Sequence, residues 1–398
     1  MLVDISTGEP ESVAGSVTDR WFVHMPPEYR NWIERYKLKG SFSLVEGSDT
    51  DQKAGRYKLK LDNFSMKLPE ADGNLTLSKV SGELLFKKQG VEMRKISGCV
   101  KEAGLATFTL NGRYEGYGKT SPFEARIDIK RVRFPEKISG PLKKITETIH
   151  REFHPDGMAD ISLTFRRNAE GQNVCTGHLV PQNAKITYRR FPLPVEQVRG
   201  RVDFTQAGAN RVRLTARRGD AAFTIEGTLG REPKFHNMLY DIRVSGNKVA
   251  LDQAMRKALP KQYDKVWREL SPSGRCNVDV HVVKAQPKKK ATVDVDISMD
   301  GFTNIAYAKF PYPLRNIDGK VELRGQNVRV ISARARDGRM LVDAGGEIRN
   351  LMSDDLSVDL TVEARRVPID KTLLQSVKGR LQKLLQDLSP SGEIERVA

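Results

Sequence analysis

Four glycines, Gly40, Gly157, Gly274 and Gly392, each follow a helix-patterned stretch and precede alternating strand sequence, at intervals of 117, 117 and 118 residues (157−40, 274−157, 392−274). A fixed period carrying the same local signals requires the chain to build the same supersecondary unit several times over. Three of the four turns share their chemistry, HPDG (His154 to Gly157), SPSG (Ser271 to Gly274) and SPSG (Ser389 to Gly392), where Pro and Gly stop a helix and redirect the chain. The first, YKLKG, lacks the proline.

Eleven, eight, seven and four residues before each glycine stand Tyr29, Trp32, Ile33 and Tyr36; Tyr263, Val266, Trp267 and Leu270; and Leu381, Leu384, Leu385 and Leu388. That is the i, i+3, i+4, i+7 stripe of an amphipathic helix. The second copy keeps Ile149 and Phe153, shifts to Ile145, and carries His150 on the stripe. Pro26 and Pro260 both lie fourteen residues before their glycine, where proline suits a first helical turn.

Downstream, FPLPVEQVRGRVDF (Phe191 to Phe204) answers FPYPLRNIDGKVEL (Phe310 to Leu323), with a looser LSKVSGELLF (Leu77 to Phe86). Gly82, Gly200 and Gly319 are 118 and 119 apart, and Gly112, Gly227 and Gly346 are 115 and 119 apart. Between these landmarks VDVHV, TVDVDIS, NVRVIS, RVRLTA, YDIRV and SVDLTV alternate with period two. Each such strand has one apolar and one charged face, which fits antiparallel sheet and not buried parallel strands. The expected fold is mainly β, an elongated antiparallel β-groove of about three tandem repeats, each one amphipathic helix plus six strands. The boundaries are 1–25 for an amino-terminal segment, a remnant of an earlier copy, then 26–137, 138–250 and 251–367, with 368–398 starting a fourth.

Composition agrees with one-sided elements: apolar residues are 38% of the chain and charged residues 29%, so much of the sequence must face water. Six strands present an apolar face of roughly 500 Å², whereas a helix of about 18 residues covers only about 270 Å². The remainder must close on itself, pack on a neighbouring copy, or stay open as an apolar trough. The inward-alternating candidates for such a trough are Val202, Phe204, Val212, Leu214, Phe223, Ile225, Val278, Val280, Val293, Val295, Ile297, Val321, Leu323, Val328, Val330, Val358, Leu360 and Val362.

The formal charge of +17 is spread along the chain, with short clusters such as Lys288, Lys289 and Lys290. A spread excess favours weak attraction to anionic surfaces over a defined nucleic-acid site, so no specific nucleic acid is expected as a partner. Arg211, Arg213, Arg217 and Arg218, with Arg329, Arg334 and Arg336, are the candidates for contact with headgroups or other anions. The six histidines show no HxxxH or HExxH spacing, and the carboxylates alternate with apolar residues as a solvent face does. No GxSxG, P-loop or GxGxxG stands in strand-to-helix context. Neither an enzyme, a metal site nor a cofactor is expected. Three scattered cysteines do not settle the compartment.

The FPLP and FPYP boxes, the xxGxV after them and the later glycine-ended strand resemble the AsmA-like family, of AsmA and TamB type, related to bridge-like lipid-transfer proteins with repeating β-groove modules. The resemblance spans about residues 27 to 392. It implies a twisted antiparallel sheet holding phospholipid acyl chains and a role in lipid transport or outer-membrane assembly. It further implies a cell-envelope, periplasmic location, at a membrane surface or tied to a membrane-anchored remainder of a larger protein, with the signal or anchor expected outside this chain. A different class of reading is a structural repeat scaffold that binds proteins or polyanions through its basic face.

Overall fold

The structure is a computed structural model and describes residues 12–16, 27–36, 39–46, 57–68, 75–100, 106–118, 120–133, 150–167, 170–231, 238–351, 353–377, 379, 382, 387–388 and 390–398. The expected helix positions Pro26, Ile145, Ile149, Leu381, Leu384 and Leu385, and the amino-terminal segment 1–25 apart from 12–16, lie outside the described residues. The protein is mainly β, antiparallel, with few helices. It divides into two compact units, Met1–Lys185 with Arg199–Asn210, and Ile186–Val198 with Arg211–Ala398.

In the first unit the elements are β1 (Ser12–Ser16), α1 (Pro27–Arg35), β2 (Lys39–Glu46), β3 (Tyr57–Leu68), β4 (Leu75–Lys87), β5 (Gly90–Val100), β6 (Ala106–Tyr114), β7 (Phe123–Arg133), β8 (Asp156–Arg167) and β9 (Asn173–Tyr188). Each strand pairs antiparallel with the next in chain order. Its apolar face is sealed: Leu59, Phe64, Leu77, Leu84, Phe86, Ile96, Phe108 and Ile127 are all buried in one cluster. Tyr36, just past α1, sets its hydroxyl against that of Tyr114 inside this cluster. Phe204, on β10 (Phe191–Thr205), packs against the same cluster.

β11 (Gly208–Arg218) precedes the strands of the second unit, β12 (Ala221–Arg231), β13 (Met238–Ala250), β14 (Ser273–Lys284), β15 (Thr292–Tyr307), β16 (Phe310–Arg324), β17 (Asn327–Asp337), β18 (Met340–Arg349), β19 (Ser357–Pro368) and β20 (Glu393–Val397). From β12 onward they also pair antiparallel in chain order. The helices bounded among the described residues here are α2 (Gln253–Ala258), a 3-10 turn (Lys261–Tyr263), α3 (Asp264–Leu270) and α4 (Lys371–Ser376); residues 382 and 387–388 are also helical.

The single helix of about 18 residues expected in each copy is corrected in the third copy to short pieces. Proline has no N–H to donate and drives the preceding residue out of the helical region. Leu259 before Pro260 is accordingly extended, with ψ 146°; a 3-10 turn follows Pro260, and α-helix resumes at Asp264. Asp252 and Asp370, 118 residues apart, start α2 and α4 by accepting a hydrogen bond from the backbone N–H of Met255 and Leu373, each at 2.8 Å. Leu251 and Ile369 in turn donate to the carbonyls of Gly274 and Gly392, each at 2.9 Å.

Several strands are bent by left-handed residues at regular spacing. Arg131, Lys248 and Arg366 have φ of 55°, 56° and 54°, and stand 117 and 118 residues apart; Lys79, Gln197 and Asn316 have φ of 52°, 52° and 51°, at 118 and 119. A left-handed non-glycine residue costs about 1–2 kcal/mol. A side chain on the adjoining strand offsets part of that cost: Asp160 accepts from the N–H of Arg131, Asn277 from Lys248 and Asn304 from Asn316. Asn277→Ala removes the acceptor of the exposed Lys248 N–H and should lower stability by about 0.5–1.5 kcal/mol in urea titration. An unchanged midpoint would show that water serves the bulge equally well.

The turn glycines are not equivalent. Gly274 has φ +88°, and a Cβ there would stand 1.9 Å from the Phe302 carbonyl oxygen, whereas at Gly392 (φ +117°) it would meet nothing within 4 Å. Gly274→Ala should therefore cost about 3 kcal/mol or more and Gly392→Ala only the conformational part, about 1 kcal/mol. Thermal melts of the two variants compare these costs directly, and equal shifts would refute the packing difference.

Candidate functional site, an uncovered apolar strip

In the second unit the aliphatic side chains that alternate along each strand line up across strands. One row runs Ile225, Val244, Val280, Val295, Leu323, Val328, Ile348 and Val358, each residue directly opposite the next on β12 through β19. A second runs Phe223, Gly246, Val278, Ile297, Val321, Val330, Gly346 and Leu360 on the same strands. A third begins as Gly227, Ile242, Val282 and Val293. Antiparallel pairing with period two puts all of these on one face.

Among the described residues, that face is covered at one end of the strands. Near the helices, Leu373 of α4 closes a buried cluster with Tyr312, Ile317, Ala335, Met340, Val342 and Val367. Beyond the bulges at Asp300/Thr303, Lys320/Val321 and Val330/Ala333 the rows begin. No residue of the first row is fully buried. Val293, Val358, Leu360 and Val362 are 39%, 58%, 39% and 49% exposed. Eight strands span about 34 Å across the sheet, and three levels two residues apart span about 13 Å along it.

The opposite face is charged and largely paired within itself. Arg324 reaches Asp296 at 2.6 Å, Arg334 reaches Asp343 at 2.6 Å, Arg365 reaches Glu363 at 2.7 Å and Arg243 reaches Asp279 at 3.4 Å. Glu363 is held below the usual carboxylate range, chiefly by its hydrogen bond from Arg365. Exposed pairs of this kind add little stability. Their consequence is register: a one-residue slip would turn the charges onto the apolar side.

Of the candidate trough residues, Ile225, Val278, Val280, Val293, Val295, Ile297, Val321, Leu323, Val328, Val330, Val358, Leu360 and Val362 come together on or beside this strip. Phe223, at the end of the second row, is buried, as are Val212 and Leu214, and Val202 and Phe204 are half-buried on β10. Ile242, Val244, Val282 and Ile348 complete the rows without having been singled out, although YDIRV and VDVHV carry their alternation. The arginine candidates lie elsewhere. Arg211, Arg213 and Arg217 alternate with buried Val212, Leu214 and Ala216, so they stand on the face opposite those side chains. Arg218 is tied to the α2 cap Asp252 at 2.7 Å; Arg329 and Arg334 pair with Glu347 and Asp343 on the charged face, and Arg336 is exposed there too.

Burial pushes the thiols of Cys175 and Cys276 up to about 11, which keeps both protonated at neutral pH. Among the described residues no cluster of three or more His, Cys, Asp or Glu could hold a metal ion, and no helix is long and apolar enough to cross a membrane. Comparison of the chain with protein-family models, with curated proteins and with solved structures yields no match.

Proposed function

We propose that the strip is an acyl-chain site and that the protein is a non-enzymatic hydrophobic-groove module of AsmA-like kind. On this reading it binds phospholipid and contributes to lipid transport or outer-membrane assembly at the cell envelope. The observation that carries the reading is the alignment of aliphatic rows over eight strands on the part of the face that no described helix covers. Each methylene buried there would contribute about 0.8 kcal/mol, so ten would reach roughly micromolar affinity. A single leaflet's chains are about 15 Å long, half of the ~30 Å hydrocarbon core, and fit within the strip. The repeat reading, with copies at 26–137, 138–250 and 251–367, belongs to the same proposal. Its support is six strands after each helical segment (β2–β7, β8–β13, β14–β19) and left-handed bulges at the sequence period.

Native mass spectrometry with lipid extraction on the purified chain tests the proposal. Co-purifying phospholipid is the expected result, and a lipid-free protein that takes up none from vesicles would overturn it. The scaffold reading draws on Arg211, Arg213 and Arg217, which make no ion pair among the described residues. It requires no lipid, and polyanion binding that falls steeply with salt.

A further inference from the structure

At the end of the strands that carries the helices, the second unit presents apolar and cationic side chains together. The β15–β16 hairpin ends there in Tyr307, Ala308, Lys309 and Phe310, with Tyr307 directly opposite Phe310. Tyr307 is 40% and Phe310 43% exposed, and Phe310 stacks on buried Tyr312 with ring centroids 6.2 Å apart. The Ala308 N–H donates to the Glu269 carbonyl at 2.7 Å, which ties the tip to the last turn of α3 beside Leu270, itself 37% exposed. On α3 the side chains of Val266 and Trp267 are half-buried, whereas Lys265 and Arg268 face outward, as does Lys261 one turn earlier. Of the two acids on α3, Asp264 is held by Arg256 and Arg268 at 2.8 and 3.1 Å, and Glu269 is half-buried. Lys261, Lys265 and Lys309 are exposed and make no ion pair among the described residues. The preceding copy closes its corresponding hairpin with Tyr188, Arg190 and Phe191, each 119 residues earlier (307−188, 309−190, 310−191). Turns of an antiparallel sheet alternate between its two ends, so both tips, which belong to the second unit, fall at the helix end.

We infer that this end of the second unit docks on the surface of an anionic bilayer, with Tyr307 and Phe310 seated among the headgroups and Lys261, Lys265 and Lys309 against the negative charge. Charge complementarity selects a negative partner. The exposed rings at the tip require that partner to hold an apolar layer just beneath its charge. A bilayer has that layer, and its interface is where tyrosine is favoured, whereas a nucleic-acid backbone or a hydrated acidic protein surface lacks it. Tips that recur along one end of a sheet also suit a plane better than a compact partner. The inference does not rest on the acyl-binding reading, since the edge would dock with the strip empty; it names the surface by which the protein meets a membrane.

The test is sedimentation of the full chain with vesicles of phosphatidylcholine alone and of phosphatidylcholine mixed with phosphatidylglycerol. Wild type should bind the anionic vesicles about ten-fold more tightly or better. Each lysine near an anionic surface is worth about five-fold, so Lys261→Gln with Lys265→Gln and Lys309→Gln should weaken that binding by about a hundred-fold. Removing the same charge from β11, by Arg211→Gln with Arg213→Gln and Arg217→Gln, should weaken it by less than about five-fold. Tyr307→Ser with Phe310→Ser should weaken it by about ten-fold or more at unchanged charge. Circular dichroism checks that each variant is folded, and if the ring variant is not, the two charge variants decide the matter. Equal losses from those two would mean that the whole +17 chain is drawn to the vesicles without a docking edge, and would overturn the inference. Full binding by a folded ring variant, or wild type that does not sediment with anionic vesicles, overturns it as well. Val295→Asp should dock like wild type while its extracted lipid reports on the strip, so each reading can fail while the other stands.

Discussion

Leu84→Asp is expected to unfold the first unit, whereas Val295→Asp should leave the second folded with a loss of about 1 kcal/mol or less. Leu84 is 1% exposed and stands between Leu59 and Met93 in register, so a carboxylate there has neither water nor a partner. Burying an uncompensated charge costs several kcal/mol, and a domain's whole stability is about 5–15 kcal/mol. Val295 occupies the same kind of position in an aliphatic row but is only half-buried, and its aspartate could remain hydrated. Urea unfolding followed by circular dichroism separates the two. Equal destabilisation would mean that the strip is as sealed as the first unit's core, and the acyl site would fall with it.

The second large effect concerns lipid. Val295→Asp and Val328→Asp both place a carboxylate in the first row, flanking Leu323. An aspartate costs about 2.5–3.5 kcal/mol in a hydrocarbon environment, so each variant should weaken acyl binding by about a hundred-fold. Retained lipid in either folded variant, measured by extraction and mass spectrometry, would show that acyl chains lie somewhere other than on this row. The contrast with the charged face sharpens the result, since Glu347→Gln, on the opposite side of β18, should leave lipid content unchanged.

The two units differ in a way their residues help to explain. Buried positions in the first include Phe64, Phe86, Phe108, Tyr114 and Phe123, large rings that fill space above a sheet. The strip in the second is built from valine, isoleucine and leucine, with Phe223 the aromatic at its end. Short branched side chains pack well against their neighbours in the sheet but project less far from it. α2, α3 and α4, at six or seven residues each, have little length with which to cover the remainder.

Much of this was legible in the residues. Alternation such as TVDVDIS and NVRVIS required two-faced antiparallel strands, and the glycines near residues 157 and 274 marked where helix gives way to sheet. Pro260 could have warned against a long helix, and Asp252 and Asp370 at their common spacing could have placed the caps. The bulges were out of reach, because Lys248 and Asn316 adopt left-handed backbone only when Asn277 and Asn304 on adjoining strands are in place to accept their N–H groups. By itself, then, the sequence determined that every strand has an apolar face and a charged one, since period-two patterning is a local property of the chain. Only the tertiary structure decided that residues as far apart as Ile225 and Val358 form one row, and that α4 seals one end of that face. Those outcomes depend on strand register and helix length, both of which are set by contacts between distant residues.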